Sequence, residues 1–233
     1  MEMNEEEICD DDDWLDAQIN RRGITRLCHF TAMQNLESIL EYELWDRENL
    51  ERSRLPFRSN DAERNDQQKS HLCLSIEYPN VLLLSKFLMD VKLSNDFVVL
   101  CVDPKDMGRA GTIFTPVNAA TGGVPKVGGF KGFQQLFRDS VDGANGTRWP
   151  RMARQPNCPT SIQAEVLVPG PIAISSILGI VVREEPAALK VTQILSHRGH
   201  DLPVVVEPRF FNSGLIGIIE VGGSIGLPGI SVG

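Results

Sequence analysis

Residues 157 to 182 read N-C-P-T-S-I-Q-A-E-V-L-V-P-G-P-I-A-I-S-S-I-L-G-I-V-V. Between Ile162 and Val168, apolar residues alternate with Gln163, Glu165 and Leu167, which predicts a β-strand. Prolines before and after this segment bound the strand sharply. A carboxylate on an otherwise apolar strand is costly unless it faces solvent or a site. Glu165 is therefore either a solvated edge residue or a functional one.

The composition suits one folded domain with irregular ends. The chain has 233 residues, of which 42% are hydrophobic and 23% charged, as in ordinary globular proteins with a sizeable core. The net charge of -8 argues against coating nucleic acid by bulk electrostatics, although a local basic groove remains compatible with it. We expect an acidic N-terminal tail over residues 1–22, a folded domain over 23–211 and a glycine-rich C-terminal tail over 212–233. The last segment also fits an edge strand or a partner-binding segment.

The cysteines and the hydropathy point to the cytoplasm. Five cysteines, an odd number without a C-x-x-C pair, argue against a disulfide framework and against a zinc site, so no metal is expected. The first residues are acidic and lack the apolar core of a signal peptide. No apolar run reaches the roughly 20 residues that span a bilayer. We therefore expect a cytoplasmic protein without a membrane partner.

Hydrophobic periodicity predicts strands and helices in mixed order. Strands are expected over 24–29, 71–76, 96–102, 162–168, 177–182 and 203–206, and helices over 32–42, 81–89, 133–140 and 187–197. The segment 43–64 is polar and charged and reads as a loop or a broken helix, while 108–132 and 142–159, which are polar or rich in glycine and proline, read mostly as loops. The first of these loops carries five arginines, which form either a solvated face or a site for phosphate groups.

A second motif lies where the first predicted strand meets its helix. His29 and Thr31 point the same way on an extended segment, and Asn35-Leu36 and Ile39-Leu40 follow them. We expect Thr31 to cap the helix, whose free N–H groups favour anionic ligands. A lone histidine at a strand end is more often structural than functional. Here His29 is a candidate functional residue, because Thr31 points the same way and both lie at the start of the predicted helix.

The pattern H-x-T followed by N-L-x-x-I-L resembles the opening motif of the DarT-type nucleic-acid ADP-ribosyltransferases, which are toxins of toxin–antitoxin and anti-phage systems. Further resemblances follow in chain order: Arg64-Asn65, Cys73 to Asn80, Asn118-Ala119-Ala120, and Pro159-Thr160 ahead of Gln163 to Leu167. Arg54 and Arg58 compete with Arg64 for the family's arginine. The likeness covers about Gly23 to Phe211.

The resemblance implies an α+β, ADP-ribosyltransferase-like fold. Two packed, mostly antiparallel sheets with flanking helices would hold NAD in the cleft between them, as the donor of ADP-ribose and without a metal. The chain has no G-x-G-x-x-G, so a Rossmann site is not expected. Glu165 would then be the catalytic carboxylate, stabilising the oxocarbenium-like state by which NAD is cleaved. Arg64 would neutralise the pyrophosphate or assist at the acceptor.

The same resemblance assigns the other site residues. NAD would contact His29, Thr31, Asn35, Ser75 and Tyr78, the last offering a ring for stacking. Gln163 would contact the acceptor base. The basic loop Gly143–Pro159 would follow a nucleic-acid strand through Arg148, Trp149 and Arg154, together with Arg151. A solvated loop without function is the alternative.

The acceptor implied by the resemblance is a nucleobase in single-stranded nucleic acid, because a paired base edge is poorly reachable. DNA is favoured, and RNA, including mRNA, is the alternative. A toxin of this kind implies a cognate antitoxin as partner. A non-catalytic binding module of the same fold remains the rival of a different class.

Overall fold

The computed structural model describes residues 14–54, 57–58, 66–89 and 96–230. The strands in these ranges are β1 (Leu27–Ala32), β2 (His71–Ile76), β3 (Phe97–Val102), β4 (Ile113–Thr115), β5 (Val127–Gly128), β6 (Ser140–Asp142), β7 (Arg148–Pro150), β8 (Glu165–Pro169), β9 (Ile177–Val182) and β10 (Val204–Val206). The α-helices are α1 (Trp14–Arg22), α2 (Leu36–Tyr42), α3 (Arg47–Ser53), α4 (Val81–Met89), α5 (Gly129–Gln135), α6 (Glu185–Arg198) and α7 (Gly214–Glu220).

Eight strands form one sheet in the order β10-β9-β3-β1-β2-β8-β4-β5, while β6 and β7 form a separate hairpin. Neighbouring strands run antiparallel except for the parallel pair β9 and β10. This mixed architecture confirms the expected α+β class with mostly antiparallel pairing. It differs from the expectation in one respect, because the two sheets are hydrogen-bonded into a continuous one.

The continuous sheet nearly divides between β1 and β2. β1 pairs with β3 from Leu27 to Ala32, but with β2 only at Leu27–Ile76 and Cys28–Ser75. Beyond Cys28 the two strands separate, and β2 pairs with β8 on its other side. The two expected sheets are thus the two halves of one sheet, joined only by these two residue pairs between β1 and β2. The gap between them is the place for a cleft.

Both faces of the sheet are covered. On β3, Val98, Leu100 and Val102 face a core shared with α1, α2 and α6, while Val99 and Cys101 face a second core shared with α4 and α7. All six residues of β3 are buried, as the unbroken apolar run of this strand predicts. The central strand therefore fixes the two halves of the core relative to each other.

Several element boundaries match the predictions and others differ. β2 and α4 have the predicted bounds, whereas the first strand extends to Ala32 and contains Thr31. Thr31 therefore does not cap a helix. A 3₁₀ turn, Met33–Asn35, lies between the strand and α2, and the cap residue Ala32 offers no side-chain acceptor. The short strands β4, β5 and β7 lie in predicted loops, because two or three residues are too few for an alternation to be read.

The described parts of both ends differ from the expected tails. Trp14 and Ile19 of α1 are buried in the first core, where the Trp14 ring lies 5.3 Å from that of Phe133. At the other end, Leu215 and Ile219 of α7 are buried in the second core. Their spacing of four residues is helical, but the surrounding glycines hide it in the sequence. Residues 14–22 and 212–230 thus complete the packed fold.

We predict that Leu215→Ala lowers the free energy of unfolding by about 2–5 kcal/mol, because the side chain is fully buried on α7. Leu189→Ala on α6 is the matched control, since that leucine is exposed and its loss changes stability by less than about 0.5 kcal/mol. Urea unfolding followed by fluorescence measures both. Equal stability of the two variants would mean that the C-terminal segment is loosely held.

Candidate active site

A cleft of about 210 Å³ opens where β1 and β2 separate. The two strands contribute its floor, and residues of α2 and α3 together with Phe57 and Arg58 contribute a polar and aromatic wall. The residues that line the cleft include His29, Phe30, Thr31, Asn35, Arg47, Phe57, Arg58, Asp66, Cys73, Ser75, Asn80, Phe87, Asn118 and Glu165. The cleft thus combines residues from distant parts of the chain.

Glu165 is the first residue of β8 and is only 7% exposed. Register pairing with Thr115 of β4 places it at the cleft. Its Oε1 accepts a hydrogen bond from Nδ2 of Asn118 at 2.9 Å, and its Oε2 accepts one from the backbone N–H of Ala119 at 3.0 Å. A buried carboxylate at a cavity is therefore held by a separate donor at each oxygen.

His29 spans the gap between the diverging strands. Its Nδ1 lies 2.9 Å from the carbonyl oxygen of Cys73 on β2. Because a carbonyl only accepts, this contact puts a proton on Nδ1. Where backbone pairing between β1 and β2 has ended, the imidazole side chain continues the connection and takes a fixed orientation in the cleft.

Asn35 ties the far wall of the cleft to its floor. Its Oδ1 accepts from the backbone N–H of Arg58 at 2.8 Å, and its Nδ2 donates to the carbonyl of the same residue at 2.9 Å. The same Nδ2 also donates to Oγ1 of Thr31 at 3.0 Å. Asn35 thus fixes the position of Arg58 along the cleft, in addition to lining it.

Arginines and aromatic rings give the cleft its other chemistry. The guanidinium of Arg47 lies 5.1 Å from the centre of the Phe57 ring, and Arg58 lines the same wall. At the opposite wall, the rings of Phe30 and Phe87 are 6.0 Å apart. Sequence reasoning did not single out Arg47, Phe30, Phe57 or Phe87. The arginine was one of five in a polar loop, and the phenylalanines resemble core residues.

Asn80 presents a buried donor at the cleft. Its Oδ1 accepts from the backbone N–H of Leu83 at the start of α4, at 3.2 Å. Its Nδ2 has no hydrogen-bond partner, although the residue is only 4% exposed. Buried amide donors are nearly always paired in folded proteins. A residue of this kind at a cavity indicates that a ligand or ordered water supplies the acceptor.

Five predicted site residues come together in the cleft: His29, Thr31, Asn35, Ser75 and Glu165. They come from β1, the turn after it, β2 and β8, so the sheet topology and the turn that follows β1 bring them together. Arg64, predicted to be catalytic, lies outside the described residues. Asn118 belongs to a motif that the sequence comparison identified, but its contact with Glu165 was not foreseen.

Tyr78, predicted to stack on NAD, is a core residue instead. It is 2% exposed, packs against the Phe210 ring at 5.6 Å, and its hydroxyl accepts from the backbone N–H of Ile225 at 2.9 Å. Burial raises the pKa of the Tyr78 phenol above its usual value. The residue follows β2 by two positions, where the chain turns away from the cleft, and that turn was not apparent from the sequence.

Gln163 and Arg154 also differ from their predicted places. Gln163 lies in a turn before β8, with its N–H donating to Oγ of Ser161 at 3.1 Å, and it is not among the described cleft residues. The Arg154 side chain is 2% exposed and pairs with Glu220 of α7 at 3.3 Å. Burial lowers the pKa of this guanidinium, against the opposing effect of Glu220. An arginine so enclosed cannot follow a nucleic-acid backbone.

Arg148 and Trp149 lie on the β6–β7 hairpin. Arg148 is exposed and its Nε donates to Oγ of Ser140 at 2.7 Å, while Trp149 is half-buried beside Gly143. Neither lines the cleft as the structure describes it. Arg151, from the same basic loop, donates to the carbonyls of Cys158 and Gln155 at 3.0 and 2.9 Å. Arg151 thus links two backbone carbonyls near the end of the loop.

The described residues contain neither a cluster of metal ligands nor a membrane-spanning helix. No three or more His, Cys, Asp or Glu side chains are grouped to hold a metal ion in the described ranges. Among the described helices, none has the length and apolar character needed to cross a membrane.

A mostly antiparallel sheet that splays around an inward-facing glutamate defines an ADP-ribosyltransferase-like protein. The chain belongs to the DarT family, since the family profile described as "ssDNA thymidine ADP-ribosyltransferase, DarT" matches residues 28–212. No curated protein sequence matches the chain. The family is thus recognised from the profile, and the helices α1 and α7 lie beyond its limits.

Solved structures share the fold. DarT from Thermus sp. 2.9 in complex with ADP-ribosylated ssDNA matches with a TM-score of 0.62 and 16% identity, covering 82% of this chain and 97% of that one. The same protein in complex with NAD⁺ gives 0.59 and 16%, over 81% and 98%. Thermosipho africanus DarTG in complex with ADP-ribose gives 0.58 and 18%, over 80% of this chain. The chain spans half the length of that protein.

We predict that Arg154→Ala lowers the free energy of unfolding by about 1–3 kcal/mol, because it removes a buried guanidinium and leaves Glu220 without this partner. The expected loss of stability is moderate because Glu220 is partly exposed and water can solvate its carboxylate. Arg148→Ala is the matched control and changes stability by less than about 0.5 kcal/mol. Chemical denaturation compares the two. A stable Arg154→Ala protein would contradict the structural role given to this residue.

Proposed function

We propose that this chain transfers ADP-ribose from NAD⁺ to a thymine base of single-stranded DNA. The observation that carries the proposal is the buried Glu165 carboxylate at the cleft, held at both oxygens by N–H donors. Membership of a family described by this activity supports the choice of reaction. The complexes of Thermus DarT with NAD⁺ and with ADP-ribosylated ssDNA support the choice of donor and acceptor.

The residues of the cleft fit NAD⁺ as a substrate. Arg47 and Arg58 offer guanidinium groups suited to a diphosphate, and Phe30, Phe57 and Phe87 offer flat apolar surfaces for aromatic bases. The unpaired Nδ2 of Asn80 suits an acceptor such as an amide oxygen. A mainly apolar cavity with a few placed polar groups is the usual form of a nucleotide site.

Glu165 acts on the ribose carbon that joins nicotinamide. Breaking this C–N bond sends its electron pair to the nicotinamide ring, which was cationic and leaves neutral. Positive charge develops on the ribose, and a carboxylate fixed nearby stabilises that charge. Because Glu165 is held by N–H donors before the reaction, little reorganisation is needed when the charge appears.

The acceptor provides a ring N–H. In a thymine whose N1 already carries the deoxyribose, the remaining ring N–H is at N3, and this group is engaged in the base pair of a duplex. A single strand therefore exposes it. As the new C–N bond forms, the N3 proton has to leave, and Glu165 is the cleft carboxylate that we assign as its acceptor.

Finer assignments belong to the same proposal. His29, Thr31 and Ser75 contact the donor, and Arg64 neutralises the pyrophosphate or assists at the acceptor. On the β6–β7 hairpin, the exposed Arg148 and the neighbouring Trp149 contact the DNA strand. The division at residues 22 and 211 separates the catalytic domain from segments that reinforce it.

The biological setting is proposed by the same reasoning. Modification of DNA bases would harm the cell that makes the enzyme, so we propose a toxin that is paired with an antitoxin, with a role in anti-phage defence. No disulfide bond joins the described cysteines Cys28, Cys73, Cys101 and Cys158, which accords with the proposed action in the reducing cytoplasm.

We predict that Glu165→Gln abolishes ADP-ribose transfer, with a loss of about 10²–10³-fold or more, because the amide keeps the size of the side chain but removes its charge. Glu184→Gln, at an exposed position before α6, is the matched control and retains full activity. The assay is mass spectrometry of a thymine-containing single-stranded oligonucleotide after incubation with NAD⁺. A folded Glu165→Gln protein with full activity would refute the assignment.

The same assay tests the acceptor. We expect an ADP-ribose adduct on single-stranded DNA that contains thymine, and none on the same sequence with thymine replaced by cytosine or on the duplex. An adduct on RNA instead would turn the proposal to the RNA alternative. Intact NAD⁺ and unmodified oligonucleotides in every arm would favour a binding module.

A further inference from the structure

The carboxylate of Glu165 is hydrogen-bonded by the loop that follows β4, residues 116–120. Nδ2 of Asn118 donates to Oε1 at 2.9 Å, and the backbone N–H of Ala119 donates to Oε2 at 3.0 Å. Consecutive residues of the loop thus reach different oxygens of the same group. A carboxylate bound in this way has a fixed plane as well as a fixed position.

The amide of Asn118 is itself held in one orientation. Its Oδ1 accepts from the backbone N–H of Ala120 at 2.9 Å, which is the two-residue turn that asparagine commonly makes with its own backbone. Because that N–H needs an acceptor, the oxygen of the amide faces Ala120 and the nitrogen faces Glu165. The neighbouring Val117 and Ala119 are buried, so the loop is anchored on both sides of Asn118.

We propose that Asn118 is a positioning residue that keeps Glu165 ionised and correctly oriented for ADP-ribose transfer. This inference rests on the proposed function of Glu165. N–H donors stabilise the anionic form of a carboxylate over the acid, and such charge-assisted bonds are among the stronger ones. A carboxylate has about four acceptor positions, and the donors from Asn118 and Ala119 occupy one on each oxygen.

The identity of residue 118 gives the proposal a sharp test. An aspartate there would still accept from Ala120 N–H, so the turn would persist. Toward Glu165, however, it would replace a donor by an acceptor and bring a second negative charge to within hydrogen-bond distance. Two carboxylates so close repel each other when both are ionised, so one of them ionises only at a higher pH than an isolated carboxyl group.

The experiment compares Asn118→Asp and Asn118→Ser with the control Asn212→Asp. Asn212 makes the same type of turn, its Oδ1 accepting from the N–H of Gly214 at 2.7 Å, but it is exposed and is not among the described cleft residues. Asn118→Ser keeps a short acceptor for Ala120 and loses the donor to Glu165. For each protein, kcat and the KM for NAD⁺ are measured from pH 5 to 9 on a thymine-containing single strand, with thermal unfolding as the check of folding.

Asn118→Asp is expected to lose about 100-fold or more in kcat at pH 7 and to recover part of it as the pH rises. Asn118→Ser is expected to lose roughly 10- to 100-fold, the cost of one hydrogen bond to a charged group. Both should keep a KM for NAD⁺ close to that of the unsubstituted protein. Asn212→Asp should match the unsubstituted protein at every pH.

An unchanged kcat in the Asn118 variants, or a loss in Asn118→Asp that is equal at every pH, would overturn this inference. If Asn118→Asp does not fold, Asn118→Ser provides the test. An unchanged kcat in Asn118→Ser would then overturn the inference. Failure of the proposed function looks different, because the unsubstituted protein would then transfer no ADP-ribose. Activity that depends on Glu165 but not on Asn118 would leave the proposed function in place and remove only the positioning role.

Discussion

The separation of β1 from β2 after Cys28 is the constraint on which the rest of the structure depends. Two paired residues hold the halves of the sheet together, and beyond them no backbone bond joins the two strands. The His29 side chain bridges this gap through the Cys73 carbonyl. If β1 and β2 were paired along their whole length, there would be no cleft. If the two residue pairs were missing, nothing in the sheet would hold His29 and Glu165 at the same site.

A buried ion pair reinforces the paired end of the two strands. Arg26 lies 3.5 Å from Glu77, and the Glu77 carboxylate also accepts from the backbone N–H and the hydroxyl of Thr25. Burial raises the pKa of Glu77, although Arg26 and Thr25 oppose that shift. Arg26 donates in addition to the carbonyl of Ile225 at 3.1 Å. The C-terminal segment, which lies beyond the family match, thereby takes part in fixing the junction behind the cleft.

The sequence predicted the local elements better than the long-range contacts. β2, α4 and the strand entered by Glu165 have strong periodicity or sharp turns around them, so their existence was clear. The pairing of Arg154 with Glu220 joins residues on separate elements, and no local pattern announces it. Tyr78 follows the same rule, since its burial depends on Phe210 and Ile225 far along the chain. The polar site residues on strands were therefore foreseen, while Phe30 on β1 and the roles of the loop arginines were not.

The positions of those arginines matter for the proposed function, because a chain with a net charge of -8 has to bind DNA, which is itself an anion. In the basic loop, Arg151 and Arg154 stabilise the fold, and Arg148 is the exposed member of the three. Few phosphate contacts release few counterions, so under the proposed function any binding of DNA through this loop would depend only weakly on salt. Recognition would then depend on what the cleft does with a single base. That division accords with a single-stranded acceptor, whose base can enter a cavity while its backbone stays largely in solvent.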